Sequence, residues 1–306
     1  MKTRLLSLLL LLTSASHLAL GAEPLPPILE ARRGFETNIL RKEAVNEAPD
    51  TPPAGVLKLI SYPAPLGRNA AYVSPPPADG KKHPAIIWLT GGFSNSIDST
   101  AWTPGPASND QSASGFRAAG IIMMYPSLRG GNNNPGYIET FYGEVNDVLA
   151  AAKTLASLDY VDPARIYLGG HSTGGTLALL VAAADSTRFR AVFALGAVDN
   201  VVGYGAEVLP FDVKNLKEAH VRAPVVWVSS ITCPTYIFEG TDGNIASLRA
   251  LKTRPRIKNP QLHFTEFPGE THFSIIAPLV AAMSRNIMAD TDPALPFTWK
   301  PTGAQK

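Results

Sequence analysis

Apolar runs of two different periods alternate along the chain. Val56 to Tyr62 and Ala70 to Val73 read as short strands, separated by a turn at Pro65-Leu66-Gly67. Ala85-Ile86-Ile87-Trp88-Leu89 is a continuous apolar run that stops at Thr90-Gly91-Gly92. Ile121-Ile122-Met123-Met124-Tyr125 is another, stopped by Pro126. Unbroken runs of this length predict strands covered on both faces. Val145, Val148, Leu149, Ala152, Leu155 and Leu158 then recur every three or four residues and draw one apolar face of a helix. After Asp162-Pro163 comes a buried strand through Ile166-Tyr167-Leu168, then a helix through Leu177, Leu179, Leu180 and Val181. Further strands are predicted at 191–195, 234–238 and 262–267, and a closing helix at 275–288.

Strands alternating with helices predict an α/β protein with a mostly parallel central sheet and helices on both faces. No internal repeat or composition break marks a second domain, so residues 54–290 read as one unit. An irregular arm rich in Pro, Glu and Ala precedes it at 22–53, and a tail follows at 291–306. The connection from 198 to 233 is too long for a simple turn and carries Tyr204, Pro210, Phe211 and Trp227. Both a cap over a cleft and an extra helix packed at the rim are consistent with it.

Composition adds the compartment. With 306 residues, 45% hydrophobic and 17% charged, the chain can bury a sizeable core. Residues 1–21 have a basic start, a leucine-rich centre and a small-residue end at Ala19-Leu20-Gly21, the pattern of a secretory signal peptide. Ser14, Ser16 and His17 interrupt the apolar stretch, whereas a stable membrane anchor needs about 20 mostly apolar residues. A secreted or periplasmic location is therefore expected. Removing residues 1–21 takes away Lys2 and Arg4 and no acids, leaving 25 basic against 25 acidic residues. That balance argues against nucleic acid as a partner. The single cysteine, Cys233, excludes an internal disulfide, and no His/Cys spacing suggests a metal.

The candidate chemistry centres on Gly170-His171-Ser172-Thr173-Gly174. This G-x-S-x-G follows a predicted strand and opens a predicted helix, the context of a nucleophile elbow, so Ser172 is the candidate nucleophile. A serine hydroxyl needs a base to take its proton. Of the six histidines, His17 lies in the leader and His83 precedes a strand, at the wrong side of the sheet. His171 adjoins the serine but is expected to pack to one side of the elbow. His220 lies in the long connection and His263 starts a strand. His272, in the loop after the last strand and last in chain order, is left as the base. A carboxylate should orient it from the loop after the 234–238 strand, where Glu239 and Asp242 are available. Asp242 is preferred, because it lies in the loop beyond the strand end and an acid there can reach across. An oxyanion needs two donors: the Thr173 N–H after the nucleophile, and a second from Phe93 or Gly92 in the glycine-rich loop after Leu89.

With these residues in hand, the chain resembles the α/β-hydrolase superfamily over about residues 55–290. Within it, the nearest likeness is to the dienelactone hydrolase and prolyl oligopeptidase-like serine hydrolases. The likeness rests on Gly91-Gly92-Phe93, Pro126-Ser127-Leu128-Arg129-Gly130, Asp147, Asp162-Pro163 and Gly170-His171-Ser172-Thr173-Gly174-Gly175. Asp147 and Arg129 are expected to brace loops rather than to act chemically. Dienelactone hydrolases use cysteine where this chain has serine, and prolyl oligopeptidases carry a β-propeller where only a short arm is seen here. The acid loop is also one residue tighter than the common Gly-x-x-Asp pattern. Together with the signal-peptide pattern, the resemblance implies an exported serine hydrolase that cleaves carboxylic esters through an acyl-enzyme, without a cofactor, on a small ester or short peptide. A peptidase or amidase with the same residues is the nearest alternative. A catalytically silent binding protein is the alternative of another class, since fold does not fix function.

Overall fold

The computed structural model describes residues 28–255 and 258–301; the signal peptide expected at residues 1–21 lies outside the described residues. In chain order the elements are α1 (Ile28–Ala31), β1 (Lys58–Ala64), β2 (Gly67–Val73), β3 (His83–Leu89), α2 (Gly115–Ala118), β4 (Ile122–Pro126), α3 (Glu144–Ala156) and β5 (Val161–His171). There follow α4 (Thr173–Ala184), β6 (Val192–Leu195), α5 (Leu216–His220), α6 (Pro224–Trp227), β7 (Thr235–Asp242), α7 (Ile245–Thr253), β8 (Leu262–Thr271) and α8 (Ile276–Ala289).

The eight strands form one sheet in the order β1-β2-β4-β3-β5-β6-β7-β8. β1 and β2 make an antiparallel hairpin, β2 runs antiparallel to β4, and every other pair is parallel. Each parallel crossover places a helix on a face of the sheet, which is why β3, β4 and β6 are buried through almost their whole length and β5 from Ile166 onward. On one face, α3 and α4 cover Ile87, Leu168, Val192 and Ile237. On the other, α2 and α8 cover Ile86, Tyr167, Phe193 and Phe238 through Phe116, Leu279, Met283 and Ile287. The segment after α8 folds back onto this second layer, with Phe297 wedged among Tyr167, Phe193 and Tyr236.

The arm at 28–53 has little regular structure but is tied down at many points. Arg32 is buried and donates to the backbone oxygens of Phe141 (2.8 Å), Tyr142 (2.7 Å) and Val221 (2.6 Å). Arg222, fully buried, donates to the Thr140 oxygen at 2.9 Å and pairs with Glu218. The two guanidiniums sit over the Tyr142 ring at 4.7 and 4.9 Å, so cation–π attraction and carbonyl dipoles offset part of their desolvation. The connection from 198 to 233 contains only short helical turns. Its Phe211 and Trp227 are buried and Tyr204 is half-buried.

Candidate active site

The elbow forms as the G-x-S-x-G pattern predicts. Ser172 has φ +56° and ψ −118°, a conformation that costs a non-glycine residue of order 1–3 kcal/mol and must be held by its surroundings. The holding comes from close backbone approach. A methyl group at Gly170 would fall 2.4 Å from the Gly174 oxygen, one at Gly174 2.1 Å from the Leu89 oxygen, and one at Gly175 2.6 Å from the Leu195 oxygen. Only glycine lets α4 start this close to β3, β5 and β6. Ser172 N–H donates to the Leu195 oxygen at 2.8 Å, while Thr176 N–H and Oγ1 donate to the Ser172 oxygen. The side chain is left at the C-terminal edge of the sheet, half-buried.

His272 follows β8 directly and is half-buried. Its ring lies against Gly196, where a methyl group would meet Cε1 at 2.4 Å, so the residue after β6 must be glycine for the imidazole to sit beside the elbow. Nδ1 is 3.1 Å from Glu239 Oε2. A carboxylate only accepts, so Nδ1 carries the proton and Nε2 is left with its lone pair. Glu239 is 1% exposed, and its second oxygen accepts the Gly240 N–H at 2.9 Å.

The carboxylate that meets the His272 ring is thus Glu239, not the Asp242 expected from the sequence. Asp242 is exposed and stands beyond an irregularity in the β7–β8 ladder that pairs its backbone with Thr271. Strand β7 continues through Asp242 rather than ending at Phe238, so no free loop carries this acid across. Glu239 pairs with Glu266 in the ladder, and its side chain reaches the His272 ring from within the strand. Gly243 keeps the way open, since a methyl group there would lie 2.5 Å from Glu239 Oε1. The unusually tight acid loop was the sequence signal that could have turned the choice.

The loop after β3 closes the other side. A methyl group on Gly91 would be 3.2 Å from Ser172 Cβ, Gly92 has φ +100°, and Thr173 Oγ1 donates to the Gly92 oxygen. The Gly91 N–H is engaged by Gln111 Oε1 at 3.2 Å, which leaves those of Gly92 and Phe93 as the loop's remaining donors next to Ser172. The Thr173 N–H is the first of α4 and has no intrahelical partner. Behind the loop is a cavity of about 250 Å³, lined by Gly92, Phe93, Ser96, Phe141, Thr173 and Leu177 among others. At its mouth Tyr204 packs edge-on to Phe93 at 5.1 Å and stacks on Phe141 at 5.8 Å. The long connection thus brings one aromatic side chain to the rim of the site.

Of the other described histidines, His171 packs on the His272 ring and the remaining three lie elsewhere. His83 pairs with Asp79, His220 packs on Trp227, and His263 stacks on Tyr236. Arg129 and Asp147 form a buried two-pronged pair, and Arg129 also bonds Glu139, so both brace the 129–144 loop as expected. Among the described residues no cluster of metal-ligating side chains is found, and no helix is long and apolar enough to cross a membrane. Cys233 is buried, and burial pushes its thiol up to about 11.

Residues 107–224 match the prolyl oligopeptidase family. No curated protein matches the chain significantly in sequence. Among solved structures, a puromycin-hydrolyzing peptidase of Mycobacterium tuberculosis superposes with a TM-score of 0.61 at 19% identity, covering 81% of this chain and 41% of that one. The chain thus spans well under half of that peptidase. An α/β serine hydrolase without a lid from Xanthomonas campestris gives 0.51 at 16% identity, over 78% of this chain and 97% of that one. An esterase of Pyrobaculum calidifontis gives 0.53 at 17%, over 78% and 86%. The chain has the α/β-hydrolase fold, and its residues 107–224 match the prolyl oligopeptidase family.

Proposed function

We propose that the protein is an exported serine hydrolase that cleaves carboxylic esters. Ser172 Oγ attacks the ester carbonyl carbon while His272 Nε2 takes its proton. Glu239 holds the resulting imidazolium through Nδ1–H. The Thr173 N–H, with that of Gly92 or Phe93, stabilises the tetrahedral oxyanion, each donor contributing roughly 10²–10³ in rate. The alcohol leaves with the proton from His272, and water activated by the same imidazole hydrolyses the acyl-enzyme. The observation that carries this reading is the strained Ser172 elbow beside a His272 whose Nδ1 is held by a buried carboxylate.

An ester rather than a peptide with a free amino terminus is favoured by the acids that line the cavity. Glu144 accepts the N–H groups of Glu139, Thr140 and Tyr142 and the Asn95 amide, and Asp98 caps the turn at Thr100. Glu144 is thus committed to the protein itself, and Asp98 gives one oxygen to its cap. The family match over 107–224 and the puromycin-hydrolyzing neighbour support peptide or amide cleavage as the second reading. Small esters, or short peptides in that case, are the partners expected. Export rests on the sequence pattern of residues 1–21.

The test is fluorophosphonate labelling with turnover of p-nitrophenyl acetate, p-nitrophenyl butyrate and an alanine p-nitroanilide, in wild type and Ser172→Ala. Ser172-dependent labelling with ester turnover supports the proposal. Anilide turnover exceeding ester turnover would favour the second reading, and no labelling would sink both. Fractionation of cells expressing the full chain tests export, with retention in the cytoplasm counting against it.

A further inference from the structure

His171 is fully buried next to the nucleophile, yet neither of its ring nitrogens is directed to Ser172. Nε2 lies 2.9 Å from the backbone oxygen of His272, and Nδ1 lies 3.0 Å from the side-chain nitrogen of Gln111. A carbonyl can only accept, so Nε2 carries the proton. An amide nitrogen can only donate, so Nδ1 is the acceptor. The ring is thereby fixed as one neutral tautomer. The faces of Phe273 and His272 itself pack on it, at 5.5 and 4.5 Å between centroids.

Gln111 is oriented with equal definition. Its Oε1 accepts the Gly91 N–H at 3.2 Å, and its nitrogen also reaches Asn109 Oδ1 at 2.9 Å. Its backbone oxygen accepts the Trp88 indole N–H at 3.1 Å, so it is anchored to β3. Turning the amide over would set two acceptors against each other at His171 and two donors at Gly91. The result is a one-way relay running from Gly91 N–H through Gln111 and His171 to the His272 carbonyl. It joins the loop after β3 to the loop after β8, two segments with no covalent connection near the site.

We propose that Gln111 and His171 are positioning residues, whose relay sets the distance between the His272 imidazole and the Gly91–Phe93 loop. The proposal rests on the reading of Ser172 and His272 as nucleophile and base. Neither residue touches the reacting atoms. Their effect is to hold the base by its own backbone while Glu239 holds it by its ring, so the imidazole is fixed at two points. A displacement of about 1 Å between base and oxyanion donors can cost on the order of 10²-fold in rate.

The test compares His171→Leu, which removes the donor to His272, with His171→Gln, whose amide nitrogen falls near the position of Nε2 and can restore it. kcat and KM for p-nitrophenyl butyrate, the pH–rate profile and the thermal midpoint are measured for each. His171→Leu should lower kcat by roughly 30- to 100-fold with KM nearly unchanged, and should shift the acid limb of the profile. His171→Gln should recover kcat to within about fivefold. Should His171→Leu not fold, Gln111→Met at the other end of the relay carries the same prediction. A folded His171→Leu or Gln111→Met with wild-type kcat, or equal losses in the leucine and glutamine variants, would overturn the relay. A wild type without Ser172-dependent turnover would overturn the site reading and the relay together.

Discussion

Glu239 and His272 meet at 3.1 Å through Oε2 and Nδ1, from adjacent parallel strand ends and with the carboxylate almost wholly buried. Replacing Glu239 by Gln keeps the shape but allows the amide to donate where the ring needs an acceptor. The wrong tautomer is then favoured, and kcat should fall by about 10²–10⁴-fold. Asp242→Asn, at an exposed side chain, should leave kcat within about twofold. Steady-state kinetics on the two variants decide the matter, and a larger loss in Asp242→Asn would reverse the assignment.

A second prediction concerns acid stability. Burial pushes the His171 imidazole down to about 4, with the neighbouring His272 ring acting in the same direction and Glu239 opposing it. The unfolded chain takes up this proton near pH 6.5 while the native protein does not. His171 therefore costs no stability above pH 6.5, and its contribution is lost as pH falls from 6.5 to about 4, by about 3 kcal/mol in all. Denaturant unfolding across this range should show a steeper decline in wild type than in His171→Gln. Parallel curves would show that His171 titrates normally.

Thr173 ties the elbow to the loop after β3 through its hydroxyl and the Gly92 oxygen. Thr173→Val keeps the volume and loses the tether. Its kcat should drop about tenfold while the fluorophosphonate still labels Ser172. Unchanged kcat would mean that the glycine loop is held in place without it.

Arg32 presents the arm's strongest attachment. Arg32→Met would leave the buried carbonyls of Phe141, Tyr142 and Val221 short of a donor, at a cost of about 3 kcal/mol in unfolding free energy. Phe141 lines the cavity and stacks on Tyr204, so KM for bulky acyl chains should rise more than KM for acetate. Chemical denaturation and an ester chain-length series test the two parts separately.

The sheet was legible because its strands are short, apolar and bounded by glycine and proline. Ser172 was legible because its turn sterically requires glycine at 170, 174 and 175. The acid was not, because the choice between Glu239 and Asp242 depends on where β7 stops, and backbone pairing with β8 carries that strand further than its apolar residues extend. His171 could be set aside as a base from its place before the nucleophile. Its bond to the His272 carbonyl, 101 residues later, is a tertiary fact with no local pattern. Helix α7 was also missed, as it is only nine residues long and just Leu248, Ala250 and Leu251 are buried.

The arm's bonds have a kinetic side. Arg32 closes contacts 109 to 189 residues ahead of it in the chain, and Arg222 reaches back 185 residues to Thr37. Loop closures this long are among the slowest steps a single domain makes. On a ribosome, Arg32 waits more than a hundred residues for the Phe141 and Tyr142 carbonyls and longer still for that of Val221. The cavity wall around Phe141 is consequently complete only after these long closures, and protease resistance of that wall should lag behind burial of the β1–β2 hairpin during refolding.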